Sequence, residues 1–312
     1  MKVVFFGTPD FSVPSLERLL ESRHEVVLVV TRPDKPVGRH KTLKAPPVAD
    51  LALRRGLQLL QPKGLKGETV REHIRAVDAD AAVVVAYGRL IPAALLDTVP
   101  YGMVNLHPSL LPRHRGPSPI QWALVCGDRI TGVTTMLLDE GMDTGPILLQ
   151  ERMAIEKDET AEQLSQRLSN IGADLVVETL DALERDAVEP KPQPKSGATV
   201  TPMLRRDFGE IDWTKPAYQL VNRFRGFVPW PGSYTSFRGG RLKIFGLENV
   251  DNASPGDEVA GEVLSADADG IVVRCGRSTA VRITELQREG KRRLPADAFL
   301  IGERVSRGER FG

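Results

Sequence analysis

The chain has 312 residues, of which 41% are hydrophobic and 27% charged, the balance of a folded globular protein with length enough for two cores. Its formal net charge of +1 excludes a uniformly basic nucleic-acid binder but leaves local basic patches open. The opening apolar run KVVFF is too short for a secretory signal, no stretch reaches membrane-span length, and the two distant cysteines, Cys126 and Cys275, have neither disulfide-framework nor zinc spacing. A cytoplasmic protein with both thiols buried in packing is the expectation.

Taken in chain order, KVVFF predicts a buried strand and VPSLERLLES a helix. Between them, FFGTPDFS is either a ligand-binding turn or a plain strand-to-helix turn. It lacks the glycines of a dinucleotide fingerprint, and no phosphate-binding P-loop pattern occurs in the chain. EVVLVV is the next strand. After it, Thr31–Pro47 carries Arg32, Lys35, Arg39, Lys41 and Lys44 against one acid, Asp34, so this loop is strongly basic. The helix APPVADLALRRG and the strands AAVVVAY, GMVNLH and ITGVTTMLLD follow. Strands alternating with helices predict an α/β domain with a mostly parallel sheet. TAEQLSQRLSNIGADLVVETLDALER, with Thr160 as its cap, closes this domain.

The proline- and lysine-rich VEPKPQPKSGATVTP reads as an extended linker. Beyond it a short strand and helix lead into WPGSYTSF, RLKIFGLENV, GEVLSAD, GIVVRCG and AVRITELQ. These short strands, separated by turn residues, predict a small β-barrel. The domain boundaries are set at 1–186, a linker at 187–206, and 207–312. Trp213, Trp230 and Tyr234 are assigned to core or interdomain packing rather than to base stacking.

Chemistry concentrates in GMVNLHPSLLP. In a strand Asn105 and His107 share a face, and Pro108 ends the regular strand beside them. Imidazole moves protons near neutral pH, and an amide donates to an oxygen gaining negative charge. In LLDEGMDTGPILLQE a carboxylate suited to orienting the histidine follows, but Asp139, Glu140 and Asp143 are all candidates on spacing alone.

NLHPSLLPRHRGPSPIQWAL and DEGMDTGP closely resemble the formyltransferase family that uses 10-formyltetrahydrofolate. The resemblance extends from FFGTPDFS through RPDKPVGRHKTLKAPPV and AYGRLIP to GFVPWPG and ELQREGKRRLPADAFLIG, so it covers both domains. It implies a Rossmann-like catalytic domain followed by an OB-like barrel. It also implies transfer of the formyl group, through a tetrahedral intermediate, to the α-amino group of methionyl-initiator tRNA.

On that basis Asn105, His107 and Asp143 are the catalytic residues, and no metal is required. Tyr87, Gly88, Ser109, Leu110, Leu111 and Pro112 line the folate site. Arg39, Lys41 and Lys44 of the basic loop, with Arg205 and Arg206, bind tRNA. Arg39 corresponds to an arginine that helps recognise the weak or unpaired end of the acceptor stem. Lys191, Lys195, Lys291, Arg292 and Arg293 add positive charge in the linker and barrel. A monomer is expected. The alternatives are a formyltransferase with a small acceptor and a noncatalytic RNA-binding relative.

Overall fold

The computed structural model describes residues 1–37, 42–65, 68–250 and 259–312. Its first elements are β1 (Lys2–Gly7), α1 (Val13–Glu21) and β2 (Glu25–Val30). The basic segment contributes a small antiparallel pair, β3 (Lys35–Val37) and β4 (Thr42–Lys44), where the sequence suggests only a loop. Then come α2 (Pro47–Arg54), β5 (Leu59–Leu60), α3 (Glu68–Ala76), β6 (Ala81–Val85), α4 (Ala93–Leu96) and β7 (Met103–His107). After α5 (Pro119–Val125), β8 (Ile130–Leu137) and β9 (Ile147–Ala154) form a hairpin that precedes the long α6 (Ala161–Glu184).

Seven of these strands form one sheet in the order β5-β2-β1-β6-β7-β8-β9. The pairings from β5 through β7 are parallel, and β8 and β9 add an antiparallel edge. β1, β6 and β7 are buried along nearly their whole length, as interior parallel strands must be when helices cover both faces. One core gathers Val4, Phe6, Val30, Ile74, Val84 and Leu95 with Tyr87, whose ring meets Phe6 edge-on at 5.6 Å. Behind β7, a Cβ at Gly172 of α6 would lie only 2.6 Å from Leu106 Cδ2. The glycine therefore lets the helix sit against the strand face opposite Asn105 and His107. Thr160 caps α6 reciprocally with Gln163: each main-chain N–H meets the other's side-chain oxygen, at 3.4 and 2.9 Å.

Contacts divide the chain into two units. The first comprises Met1–Pro119, Ile130–Ala154 and Leu164–Pro202, and the second Ile120–Arg129, Ile155–Gln163 and Met203–Gly312. The proline-rich segment is extended, and through Pro202 it belongs to the first unit. It pairs with Arg115 through Val200 and with Ile147 through Lys191. In the second unit α5 packs on α7 (Ala217–Phe227), where Gly226 allows an approach to Gln121 and Val125 that a Cβ would block.

The remaining strands are β10 (Ser233–Phe237), β11 (Gly240–Val250), β12 (Val263–Asp267), β13 (Gly270–Cys275), β14 (Thr279–Arg288) and β15 (Leu294–Pro295), before α8 (Ala296–Gly302). Their antiparallel order is β10-β11-β14-β13-β12, with β15 on β14. The last residues join the two edges. Gly312 donates to Ser236 of β10, while Phe311 donates to Gly261 and Val263 to Glu309 beside β12. This closes the sheet through its last residues, and the Phe311 ring lies 4.7 Å from that of Phe237, tilted by 31°, inside it. The terminal strand-like closure has no alternating pattern in the sequence. Among the described residues no helix is long and apolar enough to cross a membrane.

Candidate active site

β7 ends the run of parallel strands, and its last residues set out the polar groups. Asn105 lies between Val84 of β6 and Met136 of β8, and His107 is beside Thr134. Both side chains are largely buried. No described residue bonds the Asn105 amide, so its N–H groups are free to donate. The turn that follows is held from beneath. Thr134 Oγ1 donates to the Ser109 carbonyl at 2.6 Å and receives the Leu111 N–H at 3.2 Å, while Gln150 Nε2 donates to Leu111 O and to Thr134 Oγ1. A polar hub under an otherwise apolar loop fixes where the chain goes after His107.

The imidazole is gripped on one side and faced by a carboxylate on the other. Nε2 lies 2.9 Å from the His114 carbonyl oxygen, which can only accept, so this partner assigns the ring proton to Nε2. Nδ1 is then the basic nitrogen. It sits 3.7 Å from Asp143 Oδ2, too far for a good hydrogen bond to the resting ring but close enough to favour an imidazolium. Burial dominates and holds the His107 pKa below the ordinary 6.5, while Asp143 and the His114 carbonyl pull it back upward.

Of the three acids left open by spacing, Asp143 is the one at His107. Asp139 is engaged in its own turn, accepting from Thr144 Oγ1 at 2.8 Å and from the Gly141 N–H at 3.0 Å. Glu140 is exposed. Asp143 has φ +54°, a left-handed conformation that aspartate tolerates, and its Oδ2 accepts the Gly116 N–H at 2.7 Å.

Residues 1–180 match the family model described as formyl transferase, and residues 203–304 match that for the formyl transferase C-terminal domain. The methionyl-tRNA formyltransferase of Acidobacterium capsulatum is 45% identical over all of both chains, and that of Myxococcus xanthus is 45% identical over 98% of this chain and 96% of its own. The chain belongs to the methionyl-tRNA formyltransferase family. Among solved structures, the formyltransferase fold also matches an N-formyltransferase from Helicobacter canadensis in complex with folinic acid and dTDP-3-aminofucose. There the TM-score is 0.66 at 16% identity, covering 92% of this chain and 99% of that one. HypX from Aquifex aeolicus in complex with tetrahydrofolic acid matches with TM-score 0.61 and 18% identity, over 96% of this chain and 47% of that one.

The other candidate residues of this formyltransferase divide by exposure. Ser109 and Leu111 are buried, with Ser109 Oγ donating to Arg113 O at 2.6 Å, whereas Leu110 and Pro112 are half-buried. Leu110 packs on the bare backbone of Gly132. The Tyr87 ring belongs to the core, its hydroxyl has no partner among the described residues, and its carbonyl accepts from Thr8 Oγ1 at 2.9 Å. Gly88, at φ +81°, makes the turn beyond it. The FFGTPDFS turn thus ties the ends of β1 and β6 together, with Ser12 Oγ donating to Val85 O at 2.6 Å.

Lys44 is exposed and faces Lys35 across the β3–β4 pair, while Arg39 and Lys41 lie outside the described residues. Arg205 is exposed but already paired, at 2.7 Å, with Asp207 and lies over the Phe208 ring; Arg206 is exposed. Arg293 is bonded to Glu285. Two expectations about packing are corrected. Cys126 is exposed near the end of α5, and only Cys275 is buried. Trp230 is 51% exposed where the chain turns away from α7, whereas Trp213 is buried and donates to Thr235 Oγ1. Sequence reading also missed the groups by which the proline-rich segment holds the loops at His114–Arg115 and at Asp143: Thr199, whose Oγ1 receives the His114 N–H at 2.8 Å, Thr201 and Gln193.

Proposed function

We propose that this chain transfers the formyl group of 10-formyltetrahydrofolate to the α-amino group of methionyl-initiator tRNA, with Asn105, His107 and Asp143 as its catalytic residues. The observation that carries the reading is the arrangement around His107: a proton held on Nε2 by a backbone carbonyl, a free Nδ1, and a carboxylate beside that nitrogen. When the amine adds to the formyl carbon, charge grows on the formyl oxygen, and the unpartnered Asn105 amide is the donor for it. The amine nitrogen must lose one proton and the departing folate nitrogen must gain one. His107 Nδ1 takes the first and returns it, and Asp143 stabilises the imidazolium in between. The donor set fits a formyl group, since it offers one oxyanion donor and one proton carrier.

Full-length identity of 45% to a methionyl-tRNA formyltransferase favours tRNA over a small amino-sugar acceptor, for which only the fold matches, at 16% identity. The basic segment around Lys35 and Lys44 supports the same choice. A cytoplasmic monomer is the form proposed. The test is formyl transfer from 10-formyltetrahydrofolate to methionyl-initiator tRNA, with elongator methionyl-tRNA and an amino-sugar nucleotide as comparators. Initiator tRNA is the expected preferred acceptor; efficient transfer to the sugar in its place refutes the reading.

The buried histidine also sets a pH dependence. Because its pKa is held below 6.5, the neutral base persists below that pH, and the acid limb of kcat is expected under 6.5. Asp143→Asn removes the charge that raises the pKa, so the limb moves lower still. The same shift acts on stability: between the folded pKa and 6.5 the unfolded chain binds the extra proton, so this contribution is present above 6.5 and is lost as pH falls through that window. A limb at or above 6.5, read from single-turnover rates, contradicts the assignment of His107 as base.

A further inference from the structure

Residues 189–200 are exposed with one exception, Gln193. Its amide is fully used. Nε2 donates to the Asp143 carbonyl at 2.9 Å and to the Gly145 carbonyl at 2.8 Å, and lies 3.8 Å from Met136 Sδ. Oε1 accepts from Arg115 twice, at 2.7 and 3.0 Å. Two donors and two lone pairs exhaust what a primary amide offers. Arg115 directly follows His114, the residue whose carbonyl holds His107, and directly precedes Gly116, whose N–H holds the Asp143 carboxylate. One side chain from the proline-rich strap therefore spans the two loops that carry the two partners of His107.

We propose that Gln193 is a positioning residue for formyl transfer, acting through Asp143 by fixing the loop that points its carboxylate at His107. This rests on the catalytic reading of Asp143. Elsewhere the loop is held by Asp139, through Thr144 and Gly141, and the carboxylate itself by the Gly116 N–H; on the Asp143 main chain, which is left-handed between the exposed Met142 and Thr144, the bond is the one from Gln193. The carboxylate 3.7 Å from Nδ1 supports the imidazolium through its distance and orientation, and a displaced loop weakens that support. Neither glutamate nor methionine can replace the amide. Glutamate keeps the acceptor for Arg115 but sets a carboxylate against two carbonyl oxygens, and methionine fills the space without either bond.

The experiment compares Gln193→Ala and Gln193→Glu in the full-length enzyme, each alone and combined with Asp143→Ala. Alone, each is expected to lower kcat by about ten- to a hundredfold, as misplacement of a catalytic group does, with KM for both substrates within about threefold. In the Asp143→Ala background the further loss is expected to be under about twofold, since the group being positioned is gone. Should Gln193→Ala fail to fold, Gln193→Met is read in its place. Wild-type kcat in the single variants overturns the proposal, and so does an equal loss in both backgrounds. Near-normal turnover in Asp143→Ala itself refutes the catalytic reading instead, which keeps the two failures apart.

Discussion

His107→Ala and Asp143→Ala are each expected to lower turnover by about 10²- to 10⁴-fold, the range for loss of a positioned acid-base group, with tRNA affinity changed by less than about threefold. In the proposed mechanism both groups act on the reacting atoms and not on the tRNA phosphates. Asn105→Ala should cost about a hundredfold or more in kcat, the effect of removing one oxyanion donor. Because no described residue bonds the Asn105 amide, its loss breaks no internal hydrogen bond, so the melting temperature should fall only by the lost packing. Single-turnover formylation alongside filter binding of initiator tRNA separates the two effects. A parallel loss of binding and rate would remove these residues from the chemistry, and a near-normal rate for Asn105→Ala would remove the oxyanion role.

Asn105 and His107 were legible because a strand's period of two leaves no freedom. Once MVNLH is a strand, the amide and the imidazole share a face, and the register against Val84, Met136 and Thr134 bears this out. The acid was not legible to the same degree. Asp139, Glu140 and Asp143 have equal standing by spacing, and what separates them is that the Asp139 carboxylate accepts from the Thr144 hydroxyl, a turn contact that composition does not reveal. The family resemblance chose Asp143, and the 3.7 Å approach to Nδ1 agrees.

The strap was invisible for a different reason. Proline, lysine and exposed small residues read as linker, and they do form an extended segment. Its hold on the loops comes from Gln193, Thr199 and Thr201, whose partners lie 48 to 86 positions back in the sequence. Closure of the second sheet by Glu309–Gly312 escapes for the same cause, since it depends on main-chain groups whatever the side chains are. Likewise α5 clusters with the second unit, although in sequence it stands between two strands of the first sheet.

Neutralising the basic segment should produce the largest change in acceptor use. Arg39→Ala with Lys41→Ala removes two of the proposed cationic contacts, and at about 1 to 2 kcal/mol together the efficiency on initiator tRNA should fall about five- to thirtyfold. The loss should shrink the salt dependence as well, by about one in slope for each phosphate contact removed. Lys44, exposed opposite Lys35 on the β3–β4 pair, stays as the residual contact, so binding weakens without vanishing. The single variants should differ. If Arg39 reads the end of the acceptor stem, Arg39→Ala narrows the preference for initiator over elongator methionyl-tRNA. Lys41→Ala weakens both more evenly, because phosphate contacts position the RNA without reading its sequence. Neither residue takes part in the proposed proton transfer, so single-turnover rates at saturating tRNA should be unchanged. Transfer measured on both tRNAs across a salt series decides the matter. Unchanged preference and unchanged slope in the double variant would make the segment a solvated surface and return the choice of acceptor to a smaller amine.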